Sequence, residues 1–163
     1  MRLEGSCHCG KVRFSLESRE PWPYQRCYCS ICRKTGSGGF MINLGGDART
    51  LEVDGEAHLK VYQAVKEDGT RSEHRRYFCG ECGSHLYAQH SRWPDLVHPV
   101  ASAIDTPLPA PPRRVHMMLG SRASWVPVDA GPDDERYDEY PRNALATWHA
   151  DNGYDDKTSQ PEE

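Results

Sequence analysis

Seven cysteines in three tight groups constrain this chain more than any other feature. They are Cys7-His8-Cys9, Cys27-Tyr28-Cys29-Ser30-Ile31-Cys32 and Cys79-Gly80-Glu81-Cys82, and none stands alone. A Cys-x-Cys or Cys-x-x-Cys turn can bring two sulfurs to adjacent corners of a tetrahedron, each about 2.3 Å from a shared zinc ion. Two such half-sites complete one metal site. The N-terminal MRLEGSCHCG lacks the apolar core of a signal peptide, and no run of about 18 apolar residues could cross a bilayer. The expectation is a soluble, cytoplasmic protein with no membrane partner, in a compartment where disulfides rarely persist and an odd number of cysteines could not pair completely.

A metal would supply what the core cannot. Of 163 residues only 37% are hydrophobic, and 12 Pro and 14 Gly are spread along the chain. That composition favours many short segments joined by turns, with little continuous apolar surface to bury. The net charge of -4, with mixed signs and no basic stripe, speaks against nucleic acid as a partner.

Residues 11–16 alternate, with Val12, Phe14 and Leu16 on one side and Lys11, Arg13 and Ser15 on the other, the period of a half-buried strand. Further strands are expected at 40–42, 51–53, 59–64, 75–78, 86–88, 100–104, 115–119 and 125–128. Most lie close to Gly, Pro, Asp or Ser. Short helical pieces are expected only at 30–34 and 143–149, so the class is all-β. A zinc-binding domain is expected over 1–130, followed by an acidic polar extension over 131–163 that carries Asp133, Asp134, Glu135, Asp138 and Glu139. Its last part, from about 155, lacks apolar periodicity and is expected to be disordered.

Gly10 follows the first cysteine pair and Gly83 the last, whereas Cys32 is followed by Arg33 and Lys34. Glycine permits the positive φ of a knuckle turn, in which backbone N–H groups approach thiolates. Pairing the first and third groups gives Cys7, Cys9, Cys79 and Cys82 as a closed structural site and leaves Cys27, Cys29 and Cys32. Three ligands with an open fourth position is the pattern of a reactive zinc site. Two other readings fit the same spacing: His8, His85 or His90 could supply a fourth ligand, or Cys29 and Cys32 could form a redox pair activated by Arg33 and Lys34.

GSCHCGKVRF at 5–14, CYCSICRKTGS at 27–37 and YFCGECGSHLY at 77–87 resemble the three signature blocks of the glutathione-dependent formaldehyde-activating enzyme family, whose domain is shared with centromere protein V. PRRVHMMLGSRASWVPV at 112–128 is similar to the block that closes the family domain. The resemblance implies an Mss4-like (β-tent) fold and two zinc ions, on Cys7, Cys9, Cys79 and Cys82 and on Cys27, Cys29 and Cys32. It also implies a carbon–sulfur lyase that joins a small thiol such as glutathione to a small aldehyde, formaldehyde, giving S-(hydroxymethyl)glutathione. Residues 99–105 and the proline-rich 107–112 depart from the family pattern, where a pocket wall could differ.

Arg33 and Lys34, with the N–H groups of the loop at 35–39, are candidate contacts for a substrate carboxylate. His8, His74 and His85 are near ligands in sequence, but packed or solvated roles suit them better. Trp22, Tyr24, Phe40 and Trp125 read as core. The rival to the enzyme is a binding module in which the second metal only stiffens a loop.

Overall fold

The computed structural model describes residues 1–154; the expectation of disorder at 155–163 lies outside the described residues. In chain order the first half contains β1 (Arg2–Ser6), β2 (Arg13–Glu17), β3 (Tyr24–Cys27), α1 (Ser30–Gly36), β4 (Met41–Asn43), β5 (Gly46–Asp47) and β6 (Glu52–Asp54). The second half contains β7 (Leu59–Tyr62), β8 (His74–Cys79), β9 (His85–His90), β10 (Leu96–Pro99), β11 (Arg114–Met117), β12 (Glu135–Arg136) and α2 (Leu145–Asp151). The protein is thus mostly β, with two short helices.

Three sheets share the work. An antiparallel sheet in the order β1-β2-β6 packs beside a five-stranded antiparallel sheet in the order β5-β10-β9-β8-β7. The third runs β12-β11-β3-β4, with β11 parallel to both β3 and β12. The alternation read at residues 11–16 holds: Val12, Phe14 and Leu16 are buried while Arg13 is exposed. Phe14 and Leu16 join Leu3, Leu44, Leu86, Tyr87 and Val97 in the main core between the first two sheets. Each such side chain contributes roughly 1.5–3 kcal/mol by leaving water. A smaller core of Met41, Val100 and Met117 surrounds Cys27 and Cys32.

Two expected strands are absent. Residues 100–104 form a 3-10 turn at Ala101–Ala103, flanked by single bridges from Val100 to Asn43 and from Ile104 to Gly5. The segment touches two sheets and runs along neither. At 125–128 Val126 is buried, but Trp125, expected in the core, is 66% exposed, because a turn closed by Val126 N–H and the Ala123 carbonyl (3.0 Å) swings the indole outward.

The acidic stretch is built into the third sheet. β12 extends that sheet, and Asp134 accepts hydrogen bonds from the backbone N–H of Arg114 (2.7 Å) and from its Nε (2.9 Å). Glu135 accepts from Nε1–H of the buried Trp148 on α2 (2.7 Å). His149 Nε2–H donates to the Trp22 carbonyl at 2.6 Å, which ties α2 back to the segment before β3.

Candidate metal centre and substrate cleft

Cys7 and Cys9 lie in the turn between β1 and β2, while Cys79 ends β8 and Cys82 lies in the turn that leads to β9. Gly10 (φ 75°) and Gly83 (φ 76°) take the left-handed conformation that both knuckles require, and their N–H groups bond the Cys7 and Cys79 carbonyls at 2.9 Å. The four sulfurs lie within 4.8 Å of one another. Zinc–sulfur bonds of about 2.3 Å in a tetrahedron put sulfurs about 3.8 Å apart. The Cys7–Cys9 and Cys9–Cys79 separations of 3.5 and 3.8 Å fit that edge. Val12 N–H donates to Cys7 Sγ at 3.2 Å, and the Ser84 hydroxyl beside Cys82, with the Ser84 backbone N–H, holds that thiol down to about 5.

The second group is local. Cys27 ends β3, Cys29 caps α1 by accepting the Cys32 N–H at 3.4 Å, and Cys32 lies one turn further on. The three sulfurs also fall within 4.8 Å of one another, and among the described residues no histidine or carboxylate joins them at that range. Hydrogen bonds from the Cys27 and Cys32 thiols hold Cys29 down to about 2, while the same Cys29 partner, with burial, pushes Cys27 far up. All seven cysteines are free thiols, and each cluster is a donor set able to hold a metal ion.

The strand behind this cluster is anchored by a buried polar chain. Tyr28, between two of the cysteines, meets His116 Nδ1 through its hydroxyl at 2.9 Å, and His116 Nε2 lies 3.3 Å from Asp134. Tyr28 N–H donates to the Met117 carbonyl at 3.0 Å. Asp134 thus links the acidic stretch to the loop that aims the sulfurs.

Cys32 opens onto a cleft of about 990 Å³. Its floor includes Met41 and Met117, and one wall is a face of the five-stranded sheet. The register aligns Arg76 with Ala88, Ala88 with His98, and His74 with His90, so these side chains share that face. The opposite wall includes Tyr140, Arg142 and Leu145 from the segment leading into α2. Tyr140 is 69% exposed, and partial burial, followed by the charge of Cys27, Cys29 and Cys32, pushes its phenol up.

The candidate carboxylate contacts lie elsewhere. Arg33 and Lys34 occupy α1 and line neither this cleft nor a second cavity of about 500 Å³. Thr35, Gly36 and Ser37 line that second cavity together with Cys7 and His8. A buried positive charge on the cleft that holds Cys32 is Arg76, which sequence reasoning passed over as one more strand residue. The available signal was period-2 spacing: His74-x-Arg76 and Ala88-x-His90 place polar groups on what a paired central strand must bury.

Three sheets, two of them joined by a four-sulfur cluster, with a three-sulfur cluster at the foot of a cleft, define a cysteine-rich β protein with two candidate metal centres of unequal closure. A family model described as "Glutathione-dependent formaldehyde-activating enzyme" matches residues 2–120. A Halomonas elongata protein named "Putative glutathione-dependent formaldehyde-activating enzyme" is 54% identical over 151 residues, covering 92% of this chain and 96% of that one. The chain belongs to the glutathione-dependent formaldehyde-activating enzyme family. A crystal structure of a Rhodobacter sphaeroides protein is similar at 26% identity and a TM-score of 0.53, covering 65% of this chain and 91% of that one.

Proposed function

We propose that the protein is a zinc-dependent carbon–sulfur lyase that joins glutathione to formaldehyde at Cys27, Cys29 and Cys32. The observation that carries this reading is the inequality of the clusters: four sulfurs close the first, while three line the second and one of them, Cys32, opens onto the cleft. All-cysteine donor sets suit zinc, and the proposal places one ion in each cluster, within an Mss4-like arrangement of the sheets. The chemistry that zinc supplies in a three-thiolate site is stabilisation of a further thiolate at neutral pH.

The protein's own groups do the rest. The cleft holds both reactants and limits water, which favours addition over competing hydration of the aldehyde. The glutathione S–H proton passes to water, and the sulfur adds to the formaldehyde carbon, forming the carbon–sulfur bond. The carbon–oxygen π pair moves to oxygen, which takes a proton to become the hydroxymethyl group. Tyr140, protonated and on the cleft wall, is a donor within the same space. Cys7, Cys9, Cys79 and Cys82 hold the fold and take no part. The proposed compartment is the cytoplasm, whose reducing poise keeps seven thiols free to ligate.

Exchange NMR of glutathione, formaldehyde and S-(hydroxymethyl)glutathione at equilibrium tests this. Metal-replete protein is expected to raise the exchange rate well above the spontaneous one, and Cys29→Ser to remove the increment. Exchange at the spontaneous rate would leave the binding module as the better account.

A further inference from the structure

The cleft wall carries a buried cation with a donor that no group among the described residues accepts from. Arg76 is only 7% exposed, and its Nη1 has no hydrogen-bond partner. No carboxylate among the described residues forms an ion pair with it. Burying a guanidinium with an idle donor is expensive, and native proteins rarely do so without a ligand to accept the bond. The histidines on the same face add no charge of their own: burial pushes His74 down to about 3 and His98 down as well. His85, on the same cleft, is pushed down to about 4 by burial, and neither ring nitrogen has a partner. Arg19, Arg92 and Arg142 and the carboxylates of Glu20, Asp47 and Asp95 also line the cleft, yet none of these carboxylates pairs with Arg76, whose Nη1 stays idle.

We propose that Arg76 binds the carboxylate of the incoming thiol, so that the site selects acidic thiols over neutral ones. The inference rests on the thiol reading above and adds the feature by which the thiol is chosen. A guanidinium presents two parallel N–H donors to a carboxylate, a geometry that lysine cannot copy. Arg76 and Cys32 line the same cleft, so a carboxylate bound by the guanidinium shares that space with the sulfur cluster. The competing role is charge balance alone, with Arg76 offsetting the thiolates and touching no substrate.

Isothermal titration calorimetry separates the two. Metal-replete wild type, Arg76→Met and Arg76→Lys are each titrated with glutathione and with glutathione diethyl ester, which keeps the thiol and lacks both carboxylates. Wild type is expected to prefer glutathione by at least about tenfold. Arg76→Met should weaken glutathione about 10- to 100-fold, the usual worth of a charge-assisted bond, and leave the ester nearly unchanged. Equal weakening of both ligands, or a wild type that does not discriminate, overturns the proposal. If Arg76→Met fails to fold by circular dichroism, Arg76→Lys decides: selective weakening of glutathione supports the anchor, and weakening of both or neither overturns it. A wild type that binds neither ligand removes the thiol reading itself.

Discussion

Cys9 and Cys79 meet across 70 positions of chain, whereas Cys27, Cys29 and Cys32 all come from one strand end and the helix that follows. The first group pins the turn of one sheet to the turn of another beside the main core, with Cys7 and Cys79 themselves buried in it. A metal there closes a long loop, and most of its binding free energy becomes folding free energy. The second group sits in a small core of its own, and its backbone is held by the parallel pairing of β3 with β11, which is made without the sulfurs. Similar sulfur chemistry should therefore have unequal consequences when it is broken.

The largest effect is expected for Cys79→Ser, which removes a corner of the long-range site. Structural zinc in small domains is worth on the order of 10 kcal/mol, more than the whole stability of most domains, so this variant should unfold or aggregate. Cys32→Ser should instead keep the circular dichroism of the wild type, lose one metal equivalent and lose exchange activity. Equal losses of thermal stability in the two variants would erase the distinction. Asp134→Asn is the intermediate case. It takes one of two carboxylates from Arg114 and the hydrogen-bond partner from His116 behind the second group, and is expected to cost roughly 1–3 kcal/mol in a denaturant melt while leaving the first group's metal in place.

The wall above the second group makes a pH prediction. His74, held at about 3 chiefly by burial, would titrate near 6.5 in the unfolded chain. Its contribution to stability is fully present above 6.5 and is lost as pH falls toward 3, with a slope of up to about 1.4 kcal/mol per pH unit. The melting temperature of the wild type should drop from pH 7 to pH 5.5, and His74→Gln should show a shallower drop. Parallel curves would mean the wall is wetter than its packing implies. Smallest of all, Lys34→Ala should change glutathione binding and stability by no more than about 0.5 kcal/mol, because Lys34 is exposed and away from the cleft.

What the sequence made legible was local. The cysteine spacings, Gly10 and Gly83 each describe their own turn, and the alternation at Val12, Phe14 and Leu16 describes its own strand. The cleft was not legible, because it is assembled from strands that meet only in the sheet: Arg76 gains meaning from Ala88 opposite it and from Cys32 across the cleft. The acidic residues Asp134 and Glu135 read as solvated charge, yet they face Arg114, His116 and Trp148. A two-residue strand such as β12 has no periodicity to detect. Trp125 misled in the other direction, since its size suggested core while the neighbouring Val126 fills the buried position.

Cobalt substitution tests the inequality of the two sites most directly. Protein loaded with two cobalt equivalents is titrated with glutathione while the ligand-field and sulfur-to-metal charge-transfer bands are followed. The account predicts that about half of the intensity shifts on saturation, and that in Cys32→Ser the shift is lost while the remaining bands persist. A spectrum that does not respond to glutathione, or one in which all the intensity moves together, would contradict it.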